Sequence, residues 1–182
     1  MTEQQGPGEL KDKQIPDVLP ILSLYNVVVY PHMTFPLEVI GERAISLVDD
    51  AMANDRFIGF SMAKKALTDD ELPGFEDIHH VGTVVAILKM AKTAENKAQL
   101  LLQGISRFEI TELVEGKPYL RAKVETLADK EAKGLKIEAL MANLVNLFDR
   151  VVKLSPFLPQ EFGIMATTIK DPGALADVIA TL

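Results

Sequence analysis

Apolar residues recur in short runs along the first two thirds of the chain, as is typical of β-strands. The runs Val18 to Leu24, Val27 to Tyr30 and Phe57 to Met62 are rich in aliphatic, β-branched or aromatic residues. Pro20 lies inside the first run and favours an edge strand or a strand start, because proline cannot donate to a sheet. The two prolines that bracket His32 to Phe35 predict an extended loop there.

One early helix and several further strands follow from the same pattern. From Gly41 to Asn54 the apolar side chains fall on one stripe at helical spacing. Thr68 to Gly74 is acidic and rich in turn-forming residues, which predicts a surface loop. Gly104 interrupts an apolar run and indicates a bulge or bend. Four more strands are predicted, at Val81 to Lys92, Ala98 to Gly104, Phe108 to Val114 and Tyr119 to Leu127.

The last third of the chain changes to helical periodicity. Intervals of three and four between apolar residues from Ile137 to Val152 predict a long amphipathic helix. Pro159 suits the first turn of a second helix, and Asp171 suits the N-cap of a third. The apolar stripe of this third helix stops at Leu182 without a cap or a breaker, so we expect a truncated chain.

The predicted fold class is therefore α+β. We expect a disordered leader at residues 1–14, which are polar and contain Gly and Pro. A β-rich lobe with one helix would follow at 15–127. A small all-helical lobe, truncated at its C-terminal end, would occupy 130–182.

The amino-acid composition excludes several kinds of functional site. The 182 residues include 19 basic and 26 acidic side chains, a formal charge of −7, and no Cys. The missing Cys excludes disulfides, thiolate catalysis and Cys-based zinc sites. The acidic balance argues against an extended nucleic-acid surface and so against nucleic acid as a partner. No apolar run approaches the roughly 20 residues of a membrane span, and the N-terminus lacks a signal-peptide core. These features predict a cytoplasmic protein without membrane contact.

No catalytic, cofactor-binding or metal-binding residues emerge from a search for motifs. The adjacent His79 and His80 are best interpreted as solvated loop residues. Ser61 and Lys64 match the S-x-x-K pattern of serine acyl enzymes, but the companion motifs are missing and Ser61 lies on a predicted strand rather than a helix. Neither a phosphate-binding loop nor a dinucleotide fingerprint is present.

The remaining possibility is that the chain binds the apolar parts of other proteins. Methionine and aromatic side chains adapt to irregular partners. Four such residues are the candidates for contact with a protein substrate, with core packing as the alternative for each: Met33, Phe35, Phe60 and Met62.

Several segments together resemble the N-terminal domain of the ATP-dependent Lon proteases. They match the family's opening strand and loop, two later strands and a helical stretch, in the family's order, and the similarity covers residues 15–182. The segments are Ile15 to Ile21, Val27 to Met33, Phe35 to Leu37, Val81 to Ala86, Leu102 to Phe108 and Asp171 to Asp177. Ser23, Asn26 and Gln103 depart from residues common in the family, without touching a known catalytic role.

The resemblance implies a β-lobe of the PUA-like type followed by a helical bundle. In Lon the ATPase module, with its ATP and Mg, and the serine–lysine protease module lie downstream, and Ser61 and Lys64 do not correspond to that dyad. This chain is therefore expected to be no enzyme and to need no cofactor.

Its implied role, in protein quality control, is to recognise unfolded, damaged or degron-bearing proteins and to assist ring assembly. The full-length enzyme would be a homo-oligomer, and this fragment a monomer or a weak dimer. The alternative is a stand-alone PUA-like domain that binds RNA or a protein partner. The −7 charge and the single adjacent Lys64-Lys65 pair argue against RNA.

Overall fold

A computed structural model of the chain describes residues 14–66, 72–130 and 133–181. The chain divides into two compact units, the first ending at Leu127 and the second beginning at Ala128. The predicted leader, apart from Gln14, and most of the predicted acidic loop at 68–74 lie outside the described residues.

The described part of the first unit contains six strands and one α-helix. The expected α+β class is confirmed, and α1 falls where its periodicity predicted a helix. A short 3-10 turn at Phe75–Asp77 precedes β4. The elements are β1 Val18–Tyr25, β2 Thr34–Ile40, α1 Glu42–Ala53, β3 Phe57–Ala63, β4 Val81–Ala94, β5 Lys97–Val114 and β6 Arg121–Leu127.

These strands form a ring. Their order is β2-β5-β4-β3-β1-β6, and β6 also pairs with β5, which closes five strands on themselves. Only β1 and β3 run parallel, and the other pairs are antiparallel. The 18-residue strand β5 makes closure possible, since its first half pairs with β2 and its second half with β6.

The alternation of side chains along the ring strands divides the buried residues between two apolar clusters. Leu19 and Ile21 of β1 belong to a cluster built from the ring strands, together with Phe108 of β5. Leu22 belongs to the other cluster, which contains the apolar stripe of α1. The period of two along a strand produces this division, because neighbouring side chains point to opposite faces.

The bulge predicted at Gly104 is confirmed. Val84 pairs with Ser106 and Val85 with Gly104, so Ile105 is an extra residue on β5. The two strands predicted on either side of Gly104 are therefore one bulged strand.

Of the two positions predicted for Pro20, the edge strand is wrong and the strand start is right, since Pro20 is the third residue of β1. This residue lies in an interior strand, because β1 pairs with β3 on one side and with β6 on the other. The Ile21 amide faces β6, where it donates to the Leu120 carbonyl at 2.8 Å. Backbone nitrogens of successive strand residues face opposite neighbours, so the Pro20 nitrogen faces β3. The pairing of β3 with β1 starts only at Ile21. The missing amide hydrogen therefore breaks no bond in the sheet.

Two further predictions about the following segment were wrong. Val27 to Tyr30 is not a strand: Asn26, with φ 61°, ends β1, and the chain continues without strand pairing. The predicted loop at His32 to Phe35 is shorter, because β2 begins at Thr34 and contains Pro36. β2 is the outermost strand in the order, so its free side tolerates a proline.

A cluster around Asp50 ties the turn after β5 to α1. The Tyr119 hydroxyl donates to Asp50 Oδ2 at 2.6 Å, and Lys117 Nζ lies 2.9 Å from the same oxygen. The bond from Tyr119, and then the bond from Lys117, hold the pKa of Asp50 below its usual value. Burial, and then the bond to Asp50, raise the pKa of Tyr119 to about 12.

The second unit contains three helices in its described part: α2 Leu135–Leu154, α3 Glu161–Thr168 and α4 Pro172–Thr181. Its core consists of Phe148, Val152, Ala166 and Leu175. The predicted cap is confirmed, since Asp171 Oδ1 accepts the Ala174 amide hydrogen at 2.7 Å. A second stripe of α2 stays more than half exposed, at Leu140, Leu147, Val151 and Leu154.

The Asp50 cluster gives the first testable prediction. Tyr119→Phe should lower the free energy of unfolding at pH 6, because a hydrogen bond to a carboxylate is lost. The folded-state pKa of Asp50 is lowered, so the stabilisation is present above the usual aspartate pKa of 3.8 and is lost as the pH falls through the folded-state value. Urea unfolding of both proteins should show that the difference between their free energies of unfolding becomes smaller towards pH 3. A difference that stays constant with pH would contradict the assignment.

Candidate functional site

One groove in the first unit, of about 470 Å³, contains two of the predicted contact residues, Phe60 and Met62. It lies between the segment after β1, the end of β3 and the start of β4. We call it the histidine groove. Its lining residues are Val27, Val28, Val29, Tyr30, Phe60, Met62, Lys64, His79, His80, Val81, Gly82, Thr83 and Arg107.

The segment from Val27 to Tyr30 is fixed although it is not a strand. The buried Thr83 hydroxyl donates to the Val29 carbonyl at 2.6 Å, and the Val29 side chain is buried in the core. Directly after the segment, the His32 amide donates to the Gly104 carbonyl at 3.0 Å. These bonds hold one wall of the groove in place.

Two glycines permit close backbone approach around the groove. A Cβ on Gly104 would overlap the Tyr30 carbonyl oxygen, and a Cβ on Gly82 would overlap the Phe60 carbonyl oxygen. The bulge glycine therefore determines how near the Val27 to Tyr30 segment lies to the sheet.

Bonds between the end of β3 and the chain before β4 form the opposite wall. Ser61 is buried, and its hydroxyl donates to the His79 carbonyl. The His79 amide donates to the Met62 carbonyl at 2.9 Å. Lys64 Nζ donates to the Glu76 carbonyl at 3.0 Å. The S-x-x-K serine thus has its proton in a structural bond, and both polar groups of the pattern contact backbone carbonyls.

The two histidines have different surroundings. His79 is exposed, in agreement with the prediction of a solvated residue. His80 differs from it: its ring is half-buried, lies 3.8 Å from the Phe75 ring and has Nε2 3.0 Å from the Phe75 carbonyl oxygen. Within the described ranges no group of three or more His, Cys, Asp or Glu side chains could hold a metal ion.

The groove is apolar with a basic border. Val28 and Val81 expose 51% and 52% of their surface, far more than core valines do. Lys64, His79 and Arg107 also line it, and the described lining contains no carboxylate. In a chain of net charge −7, this groove is a local exception to the acidic surface.

The four predicted contact residues have separate environments. Phe35 and Phe60 belong to the core, 8% and 2% exposed, with rings perpendicular at a centroid distance of 6.4 Å. Met33 is half-buried against the same core and does not line the groove. Met62 is half-buried and lines it. The side chains of the two phenylalanines therefore serve packing, and Met62 is the candidate that the groove retains.

Sequence reasoning missed the exposed valines. Val28 lies in a run that was interpreted as a strand, and Val81 begins another run. An alternating pattern identifies the apolar residues of a strand, but it does not show which face of the strand other residues cover. The one available signal was Asn26, a residue type that tolerates positive φ and can therefore end a strand before Val28.

Solved structures share this fold. The N-terminal domain of a Mycobacterium avium complex Lon protease matches with a TM-score of 0.57 at 17% identity, over 90% of this chain and 98% of that chain. A Lon N-terminal domain protein from Xanthomonas campestris matches with a TM-score of 0.51 at 18% identity, over 90% and 97%. At these identities the likeness shows the fold: that of Lon N-terminal domains.

Sequence relatives give the family. Residues 18–182 match the profile of the ATP-dependent protease La (LON) substrate-binding domain. The chain is 53% identical to a Lon protease of Syntrophus aciditrophicus over its whole length and 43% identical to one of Dictyoglomus thermophilum over 94% of its length. It belongs to the family of Lon substrate-binding domains, and it spans 23% and 22% of these two relatives. The resemblance inferred from the sequence is confirmed.

Gly104 tests the construction of the groove. Gly104→Ala should destabilise the fold by about 1–3 kcal/mol, because the new methyl group would push the Tyr30 backbone away. Gly74→Ala is the matched control, since its Cβ would lie 3.6 Å from Asp77 Oδ2. Thermal unfolding followed by circular dichroism compares the two variants. Equal stability of both would disprove the close approach.

Proposed function

We propose that this domain binds apolar segments of unfolded, damaged or degron-bearing proteins in the histidine groove. One observation carries the proposal: Val28 and Val81, each about half exposed, line a groove whose described lining includes basic side chains and no carboxylate. Exposed apolar surface of this kind marks an interaction site. Met62 adds a flexible, polarizable side chain to the same groove, which suits partners of varied sequence.

In this proposal the chain recognises substrates and performs no chemistry. We assign ATP hydrolysis, with its Mg²⁺, and peptide cleavage to the part of the longer relatives that this chain does not span, since it covers less than a quarter of their length. Binding should therefore need neither nucleotide nor metal. The domain would work in the cytoplasm, within protein quality control. No helix among the described residues is long and apolar enough to cross a membrane.

Paired variants test the groove. Val28→Asp with Val81→Asp should weaken binding of a permanently unfolded model protein, such as reduced and carboxymethylated α-lactalbumin, about tenfold, because two apolar contacts become charged. Leu127→Asp is the matched control, since Leu127 is 37% exposed and does not line the groove. NMR titration of the labelled domain measures both affinity and location.

Three outcomes of that titration would contradict the proposal. These are unchanged affinity in the double variant, dependence on ATP and Mg²⁺, and shifts confined to residues outside the groove. Binding of a homopolymeric RNA with a steep salt dependence, in place of the unfolded protein, would favour the RNA-binding alternative.

Self-association is the second part of the proposal. The exposed stripe of α2 has members seven, four and three residues apart, at Leu140, Leu147, Val151 and Leu154, the spacing of a helix that packs on another helix. We assign to this stripe a contact between copies of the chain. It would be weak in the isolated domain and strengthened where other contacts hold a ring together.

Sedimentation equilibrium tests this contact. The unmodified domain should show a weak, concentration-dependent dimer, and Leu147→Lys with Leu154→Lys should remain monomeric because four like charges would meet across the dimer. Asn146→Lys is the control, because Asn146 lies on the polar side of α2, away from the stripe. Dimerisation of the double variant would disprove the assignment.

A further inference from the structure

Within the part of the chain that the structure describes, a stretch of β1 has no neighbouring strand on the side that faces β6. Their pairing covers only Val18 to Pro20, and its last link is the bond from the Ile21 amide to the Leu120 carbonyl. On its other side β1 stays paired with β3 through Tyr25. The ring is therefore closed along Val18 to Pro20 and open along Leu22 to Tyr25. We call this open stretch of β1 the open seam.

The register shows which backbone groups the open seam presents. N–H and C=O groups of successive strand residues point to opposite sides. Because the Ile21 amide faces β6, the amides and carbonyls of Ser23 and Tyr25 face that side too. Among the residues that the structure describes, no backbone group bonds to these two amides. The seam thus offers strand-type donors and acceptors in register.

A groove of about 630 Å³ runs beside these groups, with apolar side chains on part of its lining and Glu42, Arg43 and Asn96 on another part. Tyr25, Ile40 and Leu72 line it and are each about half exposed, at 48%, 52% and 49%. The buried Leu47 and Tyr119 line it from α1 and from the turn after β5. The space beside the open seam therefore contains half-exposed apolar side chains that a partner can cover.

The residues from Leu22 to Tyr25 themselves carry none of the usual devices that protect strand edges. Proteins protect such edges with lysine, proline or bulges, or cover them. The sequence Leu22-Ser23-Leu24-Tyr25 contains no charge and no proline, and its pairing with β3 is regular. The groups that it leaves unpaired match an extended backbone better than a helix or a small molecule.

We propose that an extended segment of an unfolded protein adds to β1 as a strand along Leu22 to Tyr25. The segment occupies the position that β6 holds beside Val18 to Pro20. Its backbone bonds to Ser23 and Tyr25, and alternate apolar side chains pack on Ile40 and Leu72. This inference rests on the proposed function, since it assumes that the domain binds unfolded chains, and it adds a second surface and the bound conformation.

Strand addition explains how one site accepts many sequences. Backbone bonds are available from any residue other than proline, so they provide affinity without selecting side chains. The groove then selects only for alternation of apolar residues, because successive side chains of the added strand point to opposite sides. A segment with that alternation is the part of a protein that a native sheet would otherwise bury.

Backbone methylation separates strand addition from side-chain docking. The probe is a seven-residue peptide of alternating Val and Thr with a terminal Lys, and its partner is the same peptide N-methylated at every backbone amide, so that neither of its two edges can donate. We expect the methylated peptide to bind about tenfold or more weakly, because its donors are removed and its edge is blocked. The unmethylated peptide should slow hydrogen exchange at the Ser23 and Tyr25 amides. Equal affinity of both peptides, or unchanged exchange at these amides, overturns the proposal.

Variants distinguish this site from the histidine groove. Ile40→Lys should weaken binding of the Val-Thr peptide. Val28→Asp should leave that binding unchanged, because Val28 lines only the histidine groove. If Ile40→Lys has no effect while Val28→Asp with Val81→Asp still impairs binding of the unfolded protein, strand addition fails and the proposed function stands. The reverse pattern rejects the histidine groove as the binding site. Hydrogen exchange at the Ser23 amide should not depend on domain concentration in the absence of peptide. If it slows as the concentration rises, a second copy of the chain binds at the seam, and the proposal is overturned.

Discussion

The pairing of β6 with the second half of β5 is the constraint on which the first unit depends. It converts an open sheet into a ring and removes most of the free edges. β5 can serve three neighbours because it is 18 residues long and because the bulge at Gly104 and Ile105 adjusts its register in the middle. The same glycine lets the Tyr30 backbone approach the sheet, so the bulge links ring closure to the position of one wall of the histidine groove.

The Asp50 cluster and the open seam of β1 have a common origin. After β5 the chain turns towards α1, where Tyr119 and Lys117 bond to Asp50. It joins β1 only from Leu120 onward. The residues that would continue this pairing along Leu22 to Tyr25 thus bond to α1 instead, and among the described residues this stretch of β1 stays unpaired beside a groove. A bond that stabilises the fold thereby leaves the proposed strand-addition site open.

Both proposed binding surfaces of the first unit depend on backbone geometry more than on special side chains. In the histidine groove, hydroxyls of Ser61 and Thr83 hold main-chain carbonyls, and valines are left exposed. At the seam, the binding groups are themselves main-chain amides. Such surfaces suit the proposed binding of varied polypeptides, because main-chain groups and aliphatic contacts discriminate little between sequences.

The amino-acid sequence by itself determined the elements whose signals are local. Helical spacing predicted α1 and α2, Asp171 predicted a cap, and Gly104 predicted a bulge, since each depends on the conformational preference of a few neighbouring residues. The ordered matches to Lon were sufficient for the family. Tertiary structure decided the rest: Phe35 and Phe60 became core, and Val28 and Val81 stayed exposed. Those outcomes depend on which strands pair across long sequence separations, as does the seam at Ser23, and residue type does not encode that pairing locally.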